Sequence, residues 1–470
     1  MIQEKTIDCK GFEEKIYEMV CDVGRTMYAA ALTEWDAELH ESRDRAVYRD
    51  KGKRSTVIKT LMGEVEFKRH IYTFSDNDRT GTIYLLDEAI GKMGSGFFSE
   101  ALSERIAEAV CELPYRKAAE QISSLTGQTV SHTAVWNVTQ QMGGRIDETE
   151  LTNAAKARAN KGVGTVETEI LFEEQDGIYL HLQGKDRKKH GDSREMKLAI
   201  AYDGAEKKGK NRYELTGKVA CANFESVGKF CRRKEGVIAA HYNVDEVKLH
   251  VLNGDGANWI KHGLGDETLY QLDPFHRNRA IFRAAPDENA RKMMLKLLYS
   301  KQIDELLMYI DALANSMEDE EQEKSLRELH TYFSNNQEGL ISYKCRAGSP
   351  GGGIDLPKPP QGKEYRGMGA MESNIFSIIG NRMKGRRRCW SVAGGNNLAR
   401  LLCLKSTHKL HDTISEMTSR MPEKYAKEVI TTFSSAKTQN SVGKGWNGFH
   451  KAMIPTSQKW LKDIVSIKSL

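Results

Sequence analysis

Three carboxylates stand where strands end and a helix begins: Asp176, Asp255 and Glu372. Asp176 lies in the apolar run Ile170-Leu171-Phe172-Glu173-Glu174-Gln175-Asp176-Gly177-Ile178-Tyr179-Leu180, which reads as a central strand. Asp255 closes a second run, Val247-Lys248-Leu249-His250-Val251-Leu252-Asn253-Gly254-Asp255-Gly256. Glu372 opens a helical pattern that continues into Arg382-Met383-Lys384-Gly385-Arg386-Arg387-Arg388. Acids drawn from distant positions, with a basic run beside the third, point to two-metal chemistry on a phosphodiester. Cleavage and strand transfer load negative charge onto the attacking and leaving oxygens, and two divalent ions about 3.5–4 Å apart stabilise both. The expected cofactor is Mg²⁺, two ions held by Asp176, Asp255 and Glu372, because Mg²⁺ takes oxygen ligands; Mn²⁺ is an expected substitute. Without ions the clustered acids would repel and raise one another's pKa.

The spacing fits one arrangement. From Asp176 to Asp255 is 79 positions, room for three strands and a helix between a first and a fourth strand. From Asp255 to Glu372 is 117 positions, which calls for an insertion. Gly177 permits close approach of backbone or ligand beside Asp176. Glu364 is a rival to Glu372, but Ile375, Phe376, Ile379 and Met383 give the Glu372 helix a face to bury. Asp273-Pro274-Phe275-His276 follows the next apolar run, and His276 is placed to orient a phosphate or support a metal ligand. Arg382, Lys384, Arg386, Arg387 and Arg388 suit contact with a DNA backbone. Each feature also has a plain reading: a strand-end or turn aspartate, a helix-start histidine, a solvated basic face.

The elements that must position these residues follow from periodicity. Residues 11–48 read as one long helix with an apolar stripe through Phe12, Ile16, Val20, Trp35 and Leu39. Residues 55–61 and 64–72 read as a strand pair turning at Met62-Gly63. Residues 115–125, a Gly127 turn and a helix over 132–141 capped by Ser131 have the outline of a helix-turn-helix. Its second helix offers Ser131, His132, Thr133 and Asn137 to base edges or phosphates, although an ordinary helical hairpin has the same outline. Residues 154–163 read as a linker, and strands are expected at 168–182, 195–202, 213–224, 246–252 and 269–272. Residues 285–333 are helical by pattern, and the Gly/Pro-rich stretch 346–369 holds no regular element.

Bulk properties limit the partners. No stretch approaches the roughly 20 apolar residues of a membrane span, and the first residues lack a secretory leader's apolar core. The expectation is a soluble, cytoplasmic and nucleoid-associated protein with no membrane partner. Eight scattered cysteines without close pairs read as reduced thiols. Residues 373–470 hold 17 Lys+Arg against 5 Asp+Glu, while the other 372 hold 53 against 60. That asymmetry points to a polyanion, here double-stranded DNA.

The stretches Glu174-Gln175-Asp176-Gly177, Asn253-Gly254-Asp255-Gly256, Asp273-Pro274-Phe275-His276 and Glu372-Ser373-Asn374 are similar to those of the bacterial Lre-two-type insertion-sequence transposases. That family is distantly related to the Mutator-like transposases. The resemblance runs from the N-terminal helix to about Leu410 and is strongest over 166–404. It implies a ribonuclease-H-like catalytic domain with a D-D-E triad, interrupted before the glutamate by an all-helical insertion. Asp176, Asp255 and Glu372 match the triad; Asp273 and His276 match a D-x-x-H element. Nothing after about His411 matches a motif of the family.

The expected fold is therefore a multidomain α+β chain, a ribonuclease-H-like mixed α/β core preceded by a mainly helical DNA-binding region. Its expected parts are a helix and hairpin (1–98), a helix-turn-helix-like module (99–153), the first part of the core (164–284), a helical insertion (285–345), a Gly/Pro loop (346–370), the Glu-bearing last part (371–410) and a basic segment (411–470). The expected activity is metal-dependent cleavage and strand transfer at insertion-sequence ends, by a homodimer or larger assembly on end and target DNA. Two rivals stay open: a ribonuclease-H-like nuclease that does not join strands, and an inactive helix-turn-helix DNA-binding protein.

Overall fold

The computed structural model describes residues 8–76, 79–91, 98–159, 164–262, 265, 268–346, 355–385 and 387–425. They form two compact units, one built from residues up to Gln141 and from Ile414, the other from Met142–Thr413. Among the described residues are 17 α-helices and both parallel and antiparallel strand pairs, an α+β chain. No helix of these residues is long and apolar enough to cross a membrane.

The first unit opens with α1 (Cys9–Ser42), whose N-cap Asp8 accepts the Gly11 N–H. It ends before the expected 48 because Tyr48 starts a strand. The strands β1 (Tyr48–Thr60), β2 (Gly63–Asp76) and β3 (Arg79–Ile83) form an antiparallel sheet in that order. The β1–β2 register closes on Thr60–Gly63, so the loop is Leu61-Met62 and Gly63 takes a φ of 107°. Leu32, Trp35, Ile58, Val65, Phe67 and Leu86 pack together as the core. The expected stripe on α1 is buried only toward its C-terminal half; Phe12, Ile16 and Val20 are exposed. Short α2 (Leu85–Ala89) and then α3 (Glu100–Glu112), α4 (Tyr115–Thr126) and α5 (His132–Arg158) follow. Gly127 ends α4 in the left-handed region at φ 64°, as a C-cap glycine does.

α5 carries the chain into the second unit and runs to Arg158, so residues 154–158 of the stretch read as a linker are helix, while 160–163 lie outside the described residues. Ala154 is buried there, against Gly236. The unit then contains β4 (Ile170–His181), α6 (Gly184–His190), β5 (Ser193–Tyr202), β6 (Gly204–Lys207), β7 (Tyr213–Thr216), β8 (Val219–Asn223), α7 (Val227–Ala239), β9 (Leu249–Gly254), α8 (Asn258–Lys261) and β10 (Thr268–Leu272). Five of these strands make one sheet in the order β10-β9-β4-β5-β8. β4, β5 and β8 pair antiparallel, while β9 and β10 run parallel to β4. The run expected as one strand over 213–224 is two: Gly217, at φ 62°, sends β7 into a ribbon with β6 and β8 into the main sheet. A Cβ at Gly217 would lie 2.3 Å from the Tyr242 hydroxyl, so glycine is required twice over.

Behind β10 come α9 (Pro274–Ala284), α10 (Glu288–Tyr299), α11 (Ile303–Asn315), α12 (Glu320–Ser334) and α13 (Tyr343–Arg346). Met294, Leu298, Leu306, Ile310, Leu326 and Phe333 make a core there with Leu252 and Leu272 of the sheet. The chain ends with α14 (Met371–Ile375), a π-helical turn (Phe376–Gly380), α15 (Asn381–Met383), α16 (Val392–Ser406) and α17 (Leu410–Met417). Of the Gly/Pro stretch, 347–354 lies outside the described residues, and 355–370 contains no helix or ladder strand, as composition predicts.

Candidate functional site

Period two decides which side chains of β4 share a face: Glu174 and Asp176 on one, Glu173 and Gln175 on the other. The β4–β9 ladder ends at the pair Gln175–Gly254, one residue before Asp176 on one strand and Asp255 on the next. Two acids 79 positions apart in sequence are thereby set at adjacent strand ends. The first strand of the sheet carries Asp176 and the fourth leads into Asp255, with four strands, β5–β8, and the helices α6 and α7 between them where three strands and one helix were expected.

His276 comes from the first turn of α9. Asp273 is the N-cap of that helix and accepts the N–H groups of Phe275 at 2.9 Å and His276 at 3.1 Å. Pro274 fills the next position, where a missing N–H costs nothing. Asp273 therefore fixes the backbone that carries His276. Glu372 sits in the first turn of α14, in a helical run whose middle turn is π. Ile375, Ile379 and Met383 bury one face of that run, but Phe376, expected with them, is exposed. Glu364, the rival acid, instead pairs its backbone with Ala205.

Asp176, His276 and Glu372 each bring a ligand atom within 4.8 Å of the other two. His276 Nε2 lies 3.8 Å from Asp176 Oδ2 and 4.0 Å from Glu372 Oε2. These gaps are too long for hydrogen bonds and fall within the span of two ligands about 2.1 Å from a common ion. The donor set and spacing therefore fit a divalent cation. Asp255 is outside this group of three; its Oδ1 accepts the Ala257 N–H at 2.9 Å, and its carbonyl accepts the Tyr332 hydroxyl at 2.7 Å. The Asp176 carboxyl is pushed up to about 6, first by burial. The Gly177 N–H and His276 pull it down, while Asp255 and Glu372 add to the rise. Asp255 is thus close enough to be felt, though not clustered.

Sequence reasoning missed Glu174, which holds the site together. Its carboxylate is fully buried and accepts the backbone N–H groups of Gly369, Ala370 and Met371 at 3.1–3.2 Å. Those of Ala370 and Met371 are orphan donors at the start of α14, so a residue 196–197 positions away caps the Glu372 helix. The Tyr202 hydroxyl donates to Glu174 at 2.6 Å, and Asn253 Nδ2 reaches both Glu174, at 3.1 Å, and Asp273, at 2.8 Å. Burial pushes the Glu174 carboxyl up against the pull of Tyr202 and the α14 amides. The available signal was its place on the Asp176 face of a strand otherwise apolar there, since a buried acid demands donors. On the opposite face Glu173 pairs with Lys234 at 2.7 Å and His250 at 3.0 Å.

The basic residues divide. Lys384 and Arg387 are exposed. Arg382 is buried, 4% exposed, with its guanidinium 5.5 Å from the Trp390 ring centre. It belongs to the packing of this helix end and is removed from the expected phosphate contacts. Arg388 is half-buried and donates to the carbonyls of Asn381 and Arg382. Arg386 lies outside the described residues. In the N-terminal unit, Ser131 Oγ accepts the Ala134 N–H at 3.1 Å, as a helix N-cap does. Ser131, His132 and Thr133 are exposed and Asn137 is half-buried. A cavity of about 680 Å³ adjoins the start of α14; Lys218, Arg366 and Lys409 are among the residues that line it.

Among solved structures, the chain is similar to a Drosophila P element transposase strand transfer complex, at 10% identity and a TM-score of 0.21, over 76% of this chain and 93% of that one. So slight a likeness carries no argument. A Streptococcus gallolyticus UPF0236 protein in the vanSb 3′ region is 24% identical over 356 residues, 74% of this chain and 72% of its own length. A UPF0236 protein of Caldanaerobacter subterraneus subsp. tengcongensis, whose one name joins eleven loci, is 24% identical over 343 residues, 70% of this chain and 67% of its own. The family model of the Uncharacterised protein family (UPF0236) matches residues 2–420, and the chain belongs to that family.

Proposed function

We propose that this protein is a DNA transposase of the D-D-E type, cutting and joining insertion-sequence ends. The observation that carries the reading is the convergence of Asp176, His276 and Glu372 at one end of a mixed sheet, with Asp255 at the adjacent strand end. Three antiparallel strands followed by two parallel ones support a ribonuclease-H-like core, and α10–α12 lie where its helical insertion is expected. The eleven loci in the name of the Caldanaerobacter relative fit a gene that is copied about a genome.

In this reading Asp176, Glu372 and His276 hold a divalent ion, Mg²⁺ or in its place Mn²⁺, and Asp255 completes the acidic set for two. Bound there, the ions supply Lewis-acid stabilisation of the attacking and leaving oxygens and an activated nucleophile. Glu174 and Asp273 hold the helix starts that bear Glu372 and His276. Lys218, Arg366 and Lys409 give the cavity beside α14 a positive lining for a nucleic-acid strand. Exposed Lys384 and Arg387 extend it. The α4–α5 pair serves as the end-binding module through His132, Thr133 and Asn137. Holding two ends for joining calls for a dimer or larger assembly, acting on DNA in the cytoplasm.

The test is cleavage of labelled DNA carrying the element's own ends, with Mg²⁺ and with EDTA, beside an Asp176→Ala control. Metal-dependent nicking at the ends, lost in the control, and attack of the freed 3′ ends on a target duplex are the expected results. Nicking without joining would reduce the protein to a nuclease, and binding without nicking would overturn the enzymatic reading.

A further inference from the structure

A second group of metal-ligating side chains comes together far from the acidic site in sequence, wholly within the N-terminal unit. His40 near the end of α1, Asp50 on β1 and His70 on β2 each bring a ligand atom within 4.8 Å of the other two. The two imidazoles lie face to face, 3.9 Å between centroids and 18° between planes.

Both rings are held from behind. His70 Nδ1 lies 2.6 Å from Oδ2 of Asp36, a carboxylate only 2% exposed. Asp36 also accepts the His70 backbone N–H through both oxygens, at 3.1 Å each, so ring and backbone are fixed by one group. A carboxylate on Nδ1 takes that nitrogen's proton as its hydrogen bond and leaves Nε2 with its lone pair, the usual arrangement behind a ligating histidine. His40 Nδ1 lies 3.2 Å from the hydroxyl of fully buried Tyr72, which holds the second ring in place. Asp50 Oδ1 accepts the Gly52 N–H at 3.0 Å, which orients the carboxylate and leaves Oδ2 for an ion. The ligand atoms of the three side chains crowd within 4.8 Å of one another, an arrangement that a cation among them would stabilise.

We propose that His40, His70 and Asp50 bind a divalent transition-metal ion of the zinc class, with Asp36 and Tyr72 positioning the rings. Two imidazoles and one carboxylate form a donor set that suits Zn²⁺ and leaves a fourth place for water or another ligand. The acidic site offers one imidazole and two carboxylates, so this site, with two imidazoles and one carboxylate, is the more nitrogen-rich of the two. An ion here would tie the end of α1 to both strands of the β1–β2 hairpin. The inference stands apart from the transposase reading and survives its failure.

The experiment uses the full chain, stripped with a chelator, dialysed and titrated with Zn²⁺ alone, followed by calorimetry, bound-metal content and thermal unfolding. Asp176→Ala serves as the control that disrupts the acidic site. The expected result is that wild type and Asp176→Ala keep a tight Zn²⁺ equivalent and gain thermal stability with it. His40→Gln loses that equivalent, and Asp50→Asn, at an exposed position, weakens it by about tenfold or more. Asp50→Asn carries the test if His40→Gln does not fold. Zn²⁺ binding unchanged in Asp50→Asn, no tight equivalent left in Asp176→Ala, or none in wild type would each overturn the proposal.

Discussion

The carboxylate of Glu174, two residues before Asp176, accepts the backbone N–H of Met371, one residue before Glu372, at 3.1 Å. One short bond thus joins the strand of the first acid to the helix of the last. Gly369 and Ala370 donate to the same carboxylate, so its loss strands several donors at once. Glu174→Ala is expected to cost about 1–3 kcal/mol in denaturant unfolding and to abolish end cleavage by releasing α14. Glu174→Gln keeps an acceptor oxygen and should retain part of both. Wild-type cleavage by both variants would show that the cap does not position Glu372.

Asp255 offers a cleaner separation of chemistry from folding. Asp255→Asn keeps the Oδ1 acceptor for the Ala257 N–H while removing the charge. Strand cleavage should disappear while the affinity for end DNA stays near wild type. Equal loss of binding in a gel-shift titration would mean that Asp255 serves the fold instead.

His276 stands closer to Asp176 and Glu372 than a bystander needs to. His276→Ala should lower metal affinity or metal-dependent cleavage by about 10–100-fold, with the unfolding midpoint little changed because the ring is not in the core. Asp273→Ala should lower both activity and stability, since Asp273 caps α9 and accepts from Asn253. Unaltered metal dependence in His276→Ala would remove the imidazole from the site.

The exposed and buried basic residues should behave differently. Replacing Lys384 and Arg387 with alanine is expected to reduce the slope of log affinity against log salt by about 0.9 for each phosphate no longer neutralised. Arg382→Ala should instead lower stability, because its guanidinium is buried beside Trp390. A salt slope untouched by the double variant would place DNA elsewhere.

Acid sensitivity should trace in part to Glu173. Burial alone would raise its carboxyl, but Lys234 and His250 outweigh burial and hold it at about 2, below its ordinary 4.5. A depressed folded pKa contributes stability that is complete above 4.5 and is lost as pH falls toward 2. Glu173→Gln leaves Lys234 buried without its partner and should cost about 3–5 kcal/mol at pH 7. The wild-type and variant stabilities should then converge between pH 4.5 and 2. Parallel curves through that window would place the acid-sensitive group elsewhere.

Much of this was local and hence legible in the sequence. Apolar runs announced β4, β9 and β10. Ser131 announced the start of α5, because capping is a matter of neighbouring residues, while α9, over Pro274–Ala284, was not read although Asp273-Pro274 carries its capping signal. Gly217 was the break that a continuous apolar pattern concealed, since only its positive φ distinguishes two strands from one. What the sequence could not state was which distant groups meet. Glu174 as the cap of the Glu372 helix, Asp36 behind His70, and Arg382 turned inward to Trp390 depend on partners 8 to 197 positions away. Burial forces each such polar group to find a partner, but sheet order and helix packing, rather than local propensity, decide which partner is within reach.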